Sequence, residues 1–452
     1  MTLSRRIARF AAHLNAEALP DAVREKAKVT LLHNLAVALA GGPLWGPAGR
    51  WARAEPELAG GARLLLDGRR VAPDVAAFAN GALMHARAQD DVFFPGLTHV
   101  GAMMTPAALA LGEQLDADGG ALLVALVAGT EASAAIGDGL APRTTVRGFR
   151  ASGLYGVFAS TVAAGRLLGL GEDAMANAIG IAASLACGTN QTWIAGTQEY
   201  QFQIGAAARN GLLAARLAQA GGTGAPDALE GRAGFFAAFM GTTDGIDHVG
   251  EELGTRWRTL DVTYKPYAVC AILQAPVREA IALAQRHDLR ADAIRAVRLS
   301  LTPAEAGYPG TDSTGPFADV AATLMSAPFC IALALSQRGV RGTDLLRVDD
   351  PALMPLVARH RVIADPSLGP RSFVLEVDHA DGRTLRHVET TVGEPFNWTR
   401  DETLANLRAM RDELPLDAAG VDALANRVLA AERYRVTDLI RVCVVGEPVR
   451  AS

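Results

Sequence analysis

Apolar residues recur at helical spacing from Leu3 to Ala40, broken at Leu19-Pro20-Asp21 and stopped at Gly41-Gly42-Pro43. That pattern predicts a helical hairpin. The same period returns over Val75–Ala88, Met104–Leu115, Gly120–Gly137, Leu154–Leu168, Asp173–Ala186 and Ile204–Ala220, so helix follows helix for about half the chain. After Lys265 the texture changes. A helical stretch from Ala275 to His287 leads into Ala296-Val297-Arg298-Leu299-Ser300-Leu301, whose alternation predicts a strand with one face in solvent. Ser372–Val377 and Thr384–Thr391 flank Asp381-Gly382, a dipeptide suited to a hairpin turn at positive φ. Leu404–Ala430 is helical again, and its apolar faces need a partner, so the chain is expected to return to the helical body. The prediction is a mainly α protein. A large all-helical domain takes residues 1–264 and 397–452, and a smaller α+β domain takes residues 265–396.

Composition narrows the function classes. A chain of 452 residues exceeds the size at which one core keeps growing, and 50% hydrophobic residues exclude a disordered chain. Aromatics make up only 6% against 46 glycines, which favours closely packed helices over long strands. A net charge of -5 offers no general attraction to nucleic acid or to anionic membranes, so a small molecule is the expected partner. Cys187, Cys270, Cys330 and Cys443 are widely separated, without the paired spacing of a zinc or iron-sulfur site. A reduced, cytoplasmic protein with no metal is therefore expected. Arg5 and Arg6 precede an apolar stretch that His13, Asn15 and Glu17 break before a signal-peptide core can form. Ala174–Gln198 is uncharged and long enough to span a bilayer, but its asparagines, glutamines and glycines predict a buried helix and a loop.

Three polar segments could carry chemistry. The first runs from His85 through Gln89, Asp90 and Asp91 to Thr98, His99 and Gly101, between two apolar helices. A loop of this kind can aim several ionisable groups into one cleft, although an ordinary exposed turn would look similar. In the second, Arg147 and Arg150 stand beside Ser152 at a helix start, where guanidinium and helix dipole together can cradle a carboxylate. In the third, Lys265 lies at the junction of the two textures and can face a cleft there. His13, His33, His287, His360, His379 and His387 are isolated and read as structural. Gly221-Gly-Thr-Gly224 lacks the ending of a phosphate loop, and no dinucleotide fingerprint, H-E-x-x-H or G-x-S-x-G is present.

Several segments carry a resemblance in their order and spacing: Leu19-Pro20 through Gly41-Gly42, Arg166-Leu-Leu-Gly-Leu170, Gly205-Ala-Ala-Ala-Arg-Asn-Gly211, Ala220 through Phe235, and Lys265-Pro-Tyr followed by Cys270. Over nearly its whole length the chain resembles the MmgE/PrpD family, which includes 2-methylcitrate dehydratase, cis-aconitate decarboxylase and iminodisuccinate epimerase. The resemblance implies a helical domain built from both chain ends, an α+β lid, a cleft between them and a homodimer. It also implies chemistry without metal or organic cofactor, in which small polycarboxylates lose water, lose carbon dioxide or are epimerised. Function is carried onto Asp90, His99 and Lys265.

Departures from the family pattern are equally specific. Ala88 and Val92 stand where dehydratase and decarboxylase members usually have an acid and a threonine, and Arg150 and Ser152 where a histidine and a threonine are usual. Tyr200 and Gln203 replace a lysine and a histidine, and Phe329 replaces a tyrosine. The turn before His99 is one residue longer.

The expected chemistry is abstraction of a proton α to a carboxylate or carbonyl by His99, oriented by Asp90 or Asp91. Lys265 and Arg150 would bind and stabilise negative charge, Tyr200 or Ser152 would give a proton to a leaving group, and Gln203 and Thr98 would contact substrate. A dehydratase-like lyase is the first expectation. An epimerase using the same proton transfer is the alternative, and a metabolite-binding protein that has lost catalysis is an alternative of another class.

Overall fold

The computed structural model describes residues 1–390 and 396–445, so the expected strand end at Thr391 lies outside the described residues. The chain first forms α1 (Leu3–His13), α2 (Asp21–Ala40) and α3 (Gly46–Ala54), then a short ladder of β1 (Ala62–Arg63) with β2 (Arg70–Val71). Next come α4 (Pro73–Met84), α5 (Val100–Gln114), α6 (Gly119–Gly137), α7 (Ala141–Thr145) and α8 (Ala151–Leu167). They are followed by α9 (Glu172–Leu185), α10 (Gln191–Ala195), α11 (Glu199–Gln219) and α12 (Phe235–Met240).

The helix α8 is the centre of this body, packed by α5, α6, α9 and α11. Small residues make that crowding possible. A Cβ on Gly156 of α8 would run into the Met103 sulfur of α5, and one on Gly205 of α11 would stand 2.4 Å from the Phe78 carbonyl oxygen of α4. The helix α6 is long and apolar enough to cross a bilayer, but it is almost wholly buried among its neighbours. Ala174–Gln198 forms most of α9, a loop and α10.

The smaller α+β domain supplies α13 (Gln274–Arg286), β3 (Ile294–Leu301), α14 (Pro303–Ala306), α15 (Val320–Met325), α16 (Ala327–Gln337) and α17 (Met354–Val357). Its sheet is completed by β4 (His360–Ala364), β5 (Phe373–His379) and β6 (Thr384–Glu389), in the order β4-β3-β5-β6. Only β3 and β4 run parallel. Alternation sorts the two faces: Val297, Leu299, Leu375 and Val377 enter the core with α13 and α16. On the other face Arg298 pairs with Glu376 at 3.0 Å and Asp378 at 2.6 Å.

Two large hydrophobic cores result. One joins the N-terminal helices to Leu407–Cys443, which includes α19 (Ala418–Leu429) and α20 (Val436–Arg441), and the other fills the smaller domain. The second core also takes in Ala86, Ala88, Trp193 and Tyr200 from the helical body, which places the segments around Asp90 and Arg150 at the seam.

Three expectations need correction. The opening helices are not a hairpin: α1 lies along α9, held by Arg5 and Arg9 on Glu172 and by Arg166 on the carbonyls of Ala12 and Leu14. The pattern from Leu404 to Ala430 is split into α18 (Arg400–Ala409) and α19 because Pro415 cannot continue a helix. Finally α4 stops at Met84, four residues early, because the chain turns sharply to φ +49° at Ala88.

Candidate active site

The early end of α4 creates the site. After His85 the chain turns back, with the Ala88 N–H donating to the His85 carbonyl, and Val92 then pairs with Thr263 through two backbone bonds of 2.9 Å. A second bridge, Phe93 with Thr98, closes the loop and returns the chain to His99 at the start of α5. The connector thus brings its two ends together, with the His85 and His99 ring centroids 4.7 Å apart. The Val92–Thr263 bridge sets Lys265 beside them.

Asp90 is the hub, with no side-chain exposure at all. Its carboxylate lies 2.8 Å from His85 Nδ1, 3.3 Å from His99 Nδ1 and 3.6 Å from Lys265 Nζ. Burial pushes its pKa up, but His85, Lys265 and His99 together hold it well below the usual carboxylate range. Lys265 also donates to the Ala88 carbonyl. Burial lowers the Lys265 pKa while Asp90 opposes the fall.

Hydrogen bonds fix both imidazole tautomers. Arg150 donates to His85 Nε2 at 2.6 Å, and a guanidinium cannot accept, so His85 must carry its proton on Nδ1 toward Asp90. Burial holds His85 down at about 3 despite Asp90, and Arg150 adds to the effect. The Nδ1 of His99 lies 2.9 Å from the Asp91 carbonyl, an obligate acceptor, so the proton is on Nδ1 and the lone pair on Nε2. Lys265 Nζ at 3.3 Å is then a charge beside the ring and not a donor to it. Burial and Lys265 lower the His99 pKa, with Asp90 opposing, so His99 is neutral at pH 7. Its side chain is 17% exposed, against 1% or less for His85, Asp90 and Lys265.

Other expected residues are placed differently. Asp91 points away from the cluster, accepting from Asn34 at 2.9 Å and from the Gly101 N–H at 3.0 Å, where a Cβ on residue 101 would collide with both side chains. Burial and the Asp90 charge raise its pKa to about 6. Only its backbone carbonyl serves His99. Tyr200 is buried, donates to the Ala86 carbonyl at 2.7 Å and accepts from Gln201, so its proton is committed to structure. Gln203 spends its amide on Arg150 and on the Thr189 carbonyl. Ser152 Oγ accepts from the His99 N–H at 3.4 Å, and Thr98 is buried, its backbone paired with Phe93. Lys265, expected to face a cleft, is 1% exposed. Arg150 is buried too, bonded to Tyr200, Gln203 and His85, and stacked 4.9 Å above the Trp193 ring.

His85 joins this cluster although the sequence reading did not assign it a role in the site. It opens the segment already singled out, but the apolar period suggested that the helix ran past it.

His85, Asp90 and His99 offer ligand atoms within 4.8 Å of one another. A divalent ion there would meet the Lys265 charge and would have to displace the protons bonded to Asp90 and to the Asp91 carbonyl. Such a donor set suits a hydrogen-bonded acid–imidazole relay and fits a metal poorly. A surface groove of about 650 Å³, lined by Arg290, Arg338, Leu356 and Arg359, lies in the small domain and contains none of these groups.

Fold and site define a two-domain, mainly helical protein with a buried carboxylate–histidine–lysine cluster at the seam of its cores. The MmgE/PrpD N-terminal domain matches residues 5–245 and the MmgE/PrpD C-terminal domain residues 267–409; the chain belongs to the MmgE/PrpD family. It is 31% identical over 293 residues to a cis-aconitate decarboxylase of Aspergillus terreus (strain NIH 2624 / FGSC A1156), covering 62% of this chain and 59% of that protein. A cis-aconitate decarboxylase of Homo sapiens is 32% identical over 175 residues, covering 38% of this chain and 36% of that one. The match therefore spans about six tenths of the first relative and about a third of the second.

Proposed function

We propose that this chain is a cofactor-independent lyase that removes a proton α to a carboxylate or carbonyl of a small polycarboxylic acid and expels a β-hydroxyl as water. One observation carries the reading: His99 is a neutral imidazole whose Nδ1–H is fixed on the Asp91 carbonyl, which leaves the Nε2 lone pair for substrate. A base of this kind works near pH 7.

In the proposed step His99 Nε2 takes the α-proton, and the C–H electron pair becomes the new carbon–carbon double bond. The β C–O bond breaks, its pair leaves on oxygen, and a second proton completes water. Ionised Asp90, 3.3 Å from Nδ1, stabilises the imidazolium formed. Lys265 and Arg150 supply the positive field for substrate carboxylates and for the developing enolate.

The names of the relatives favour a second reading, decarboxylation of a cis-aconitate-like acid. In that reaction the C–C pair released with carbon dioxide must be protonated, so the cluster would first have to be loaded with a proton. The resting state of His99 argues for abstraction first.

Incubation in D2O with di- and tricarboxylates, hydroxy acids and amino dicarboxylates, followed by NMR, tests the reading. A new alkene signal supports dehydration, and deuterium uptake without net change supports an epimerase. Carbon dioxide release supports the second reading. His99→Gln is expected to abolish exchange while ligand-induced thermal stabilisation remains. A ligand that stabilises the wild type yet shows neither exchange nor conversion would refute catalysis on that compound.

A further inference from the structure

The turn that leads to Asp90 is held in a conformation its sequence does not favour. Ala88 is left-handed at φ +49° and buried, and a residue with a Cβ keeps that conformation only where its surroundings fix it. Its carbonyl is the group that receives the Lys265 ammonium. Whatever fixes Ala88 therefore also fixes Lys265 beside Asp90 and His99.

The residues on either side of Ala88 both reach one remote segment, Met410 and the short 3-10 turn Arg411–Glu413, between α18 and α19. Arg87, 1% exposed, pairs with Glu413 at 2.9 Å and donates to the Ala40 carbonyl at the end of α2 at 3.3 Å. Gln89 donates to the Pro266 carbonyl, next to Lys265, at 2.8 Å and lies 3.5 Å from the Met410 sulfur. The Glu413 oxygen that pairs with Arg87 also accepts the Gly342 N–H of the small domain at 2.9 Å. A Cβ at Gly342 would press on the Arg87 guanidinium, 3.2 Å from its Cζ. One carboxylate thus joins the turn of the site to the small domain.

We propose that Glu413 is a positioning residue of this site: through Arg87 it pins the turn whose Ala88 carbonyl holds Lys265, and through Gly342 it ties that hold to the small domain. Without the pair, Ala88 relaxes from its left-handed conformation and its carbonyl turns away from Lys265. The ammonium then no longer stands 3.3 Å from His99 Nδ1. After burial, Lys265 is the main cause that lowers the His99 pKa, so His99 rises when Lys265 is released. The kinetic consequence rests on the lyase reading above.

Histidine-selective 15N NMR on Glu413→Gln in the full chain tests this without any substrate. The sign decides, because removing a distant negative charge would by itself lower the His99 titration, whereas release of Lys265 raises it. A rise of about 0.3 pH unit or more is expected. Arg87→Met should give a rise at least as large, and Arg87→Lys, which keeps a donor to Glu413, a smaller one. If Arg87→Met does not fold, the other two variants carry the test. Arg63→Met breaks a buried ion pair with Glu113 in the helical body and should lower stability with no movement of His99. On acids that are turned over, Glu413→Gln should lower kcat/KM by about 10-fold or more and move its acid limb to higher pH. A His99 titration that falls in Glu413→Gln, rises by less than about 0.3 pH unit, or rises as far in Arg63→Met would overturn the positioning role. A rise in Glu413→Gln with no conversion of any acid by the wild type would overturn the lyase reading and leave the positioning role standing.

Discussion

Replacing Arg150 by Met tests how the tautomers are fixed. The Arg150 guanidinium donates to His85 Nε2 at 2.6 Å, and His85 sits near 3 mainly through burial, with Arg150 contributing. A unit charge about 4 Å from the ring at an effective dielectric near 20 is worth about 4 kcal/mol, or roughly three powers of ten in proton affinity. With the cation gone and Asp90 still ionised, His85 should rise to about 6, held below its ordinary value by burial. Histidine-selective 15N NMR reads this directly. In the wild type His85 should show a protonated Nδ1 and a bare Nε2, with no titration above about pH 4. In the variant it should titrate between about pH 5 and 6. Stability supplies a second readout. A histidine whose folded pKa lies below its unfolded value costs stability as pH falls through that window, so at about pH 4.5 the wild type carries roughly 2 kcal/mol more of this penalty than the variant. The bonds lost to Tyr200 and Gln203 lower the variant's stability at both pH values alike, by about 1 to 3 kcal/mol. A His85 that remains untitrated in Arg150→Met, or a wild-type His85 protonated on Nε2, would refute the assignment.

Two further changes separate structural roles from chemical ones. With Asp91 at about 6 in the fold and 3.8 as its ordinary value, the folded state holds the proton more tightly. That contribution is present below pH 4 and is lost as pH rises through 6, an effect of about 3 kcal/mol. Asp91→Asn should therefore gain stability relative to wild type between pH 4 and pH 7 in urea titrations, with kcat within about 3-fold; a relative loss over that range would contradict the burial argument. Tyr200→Phe should cost about 1 to 2 kcal/mol in stability and leave kcat within about 3-fold. A hundred-fold fall in kcat at unchanged stability would make Tyr200 a proton donor after all.

Long-period information was legible in the chain. The cores of α5, α6, α8 and α11, the β5–β6 hairpin at Asp381-Gly382 and the return of the C-terminal helices follow from apolar spacing and turn chemistry. The details of the site were not, because they turn on single dihedrals and on which way a side chain points. Asp90 and Asp91 are adjacent, yet one anchors the cluster while the other bonds to Asn34 and Gly101. Nothing in the spacing says which is which. Ala88 adopts a left-handed conformation that sequence favours in glycine, so the turn freeing His85 carried no local mark.

The charge pattern links binding to base strength. With His85 and His99 neutral, Lys265 and Arg150 face Asp90 inside the cluster, while Asp91, ionised above about pH 6, directs its carboxylate away to Asn34 and Gly101. Arg150 stays cationic even though burial lowers it to about 10. Water screens the charges of Lys265, Arg150 and Asp90 poorly, because the three side chains are almost wholly enclosed. On the lyase reading, Lys265 and Arg150 are the two cations that draw a substrate carboxylate to this site in a protein whose net charge is -5. After burial, Lys265 also restrains the base, depressing His99 while Asp90 opposes the fall. A substrate carboxylate that compensates Lys265 removes that restraint and leaves the Asp90 contribution in place. On the lyase reading His99 becomes a stronger base when the acid binds, and it holds the abstracted proton best while the product anion remains. Departure of the anion restores the Lys265 field and favours loss of the proton from Nε2, which returns the imidazole to the neutral form in which it began.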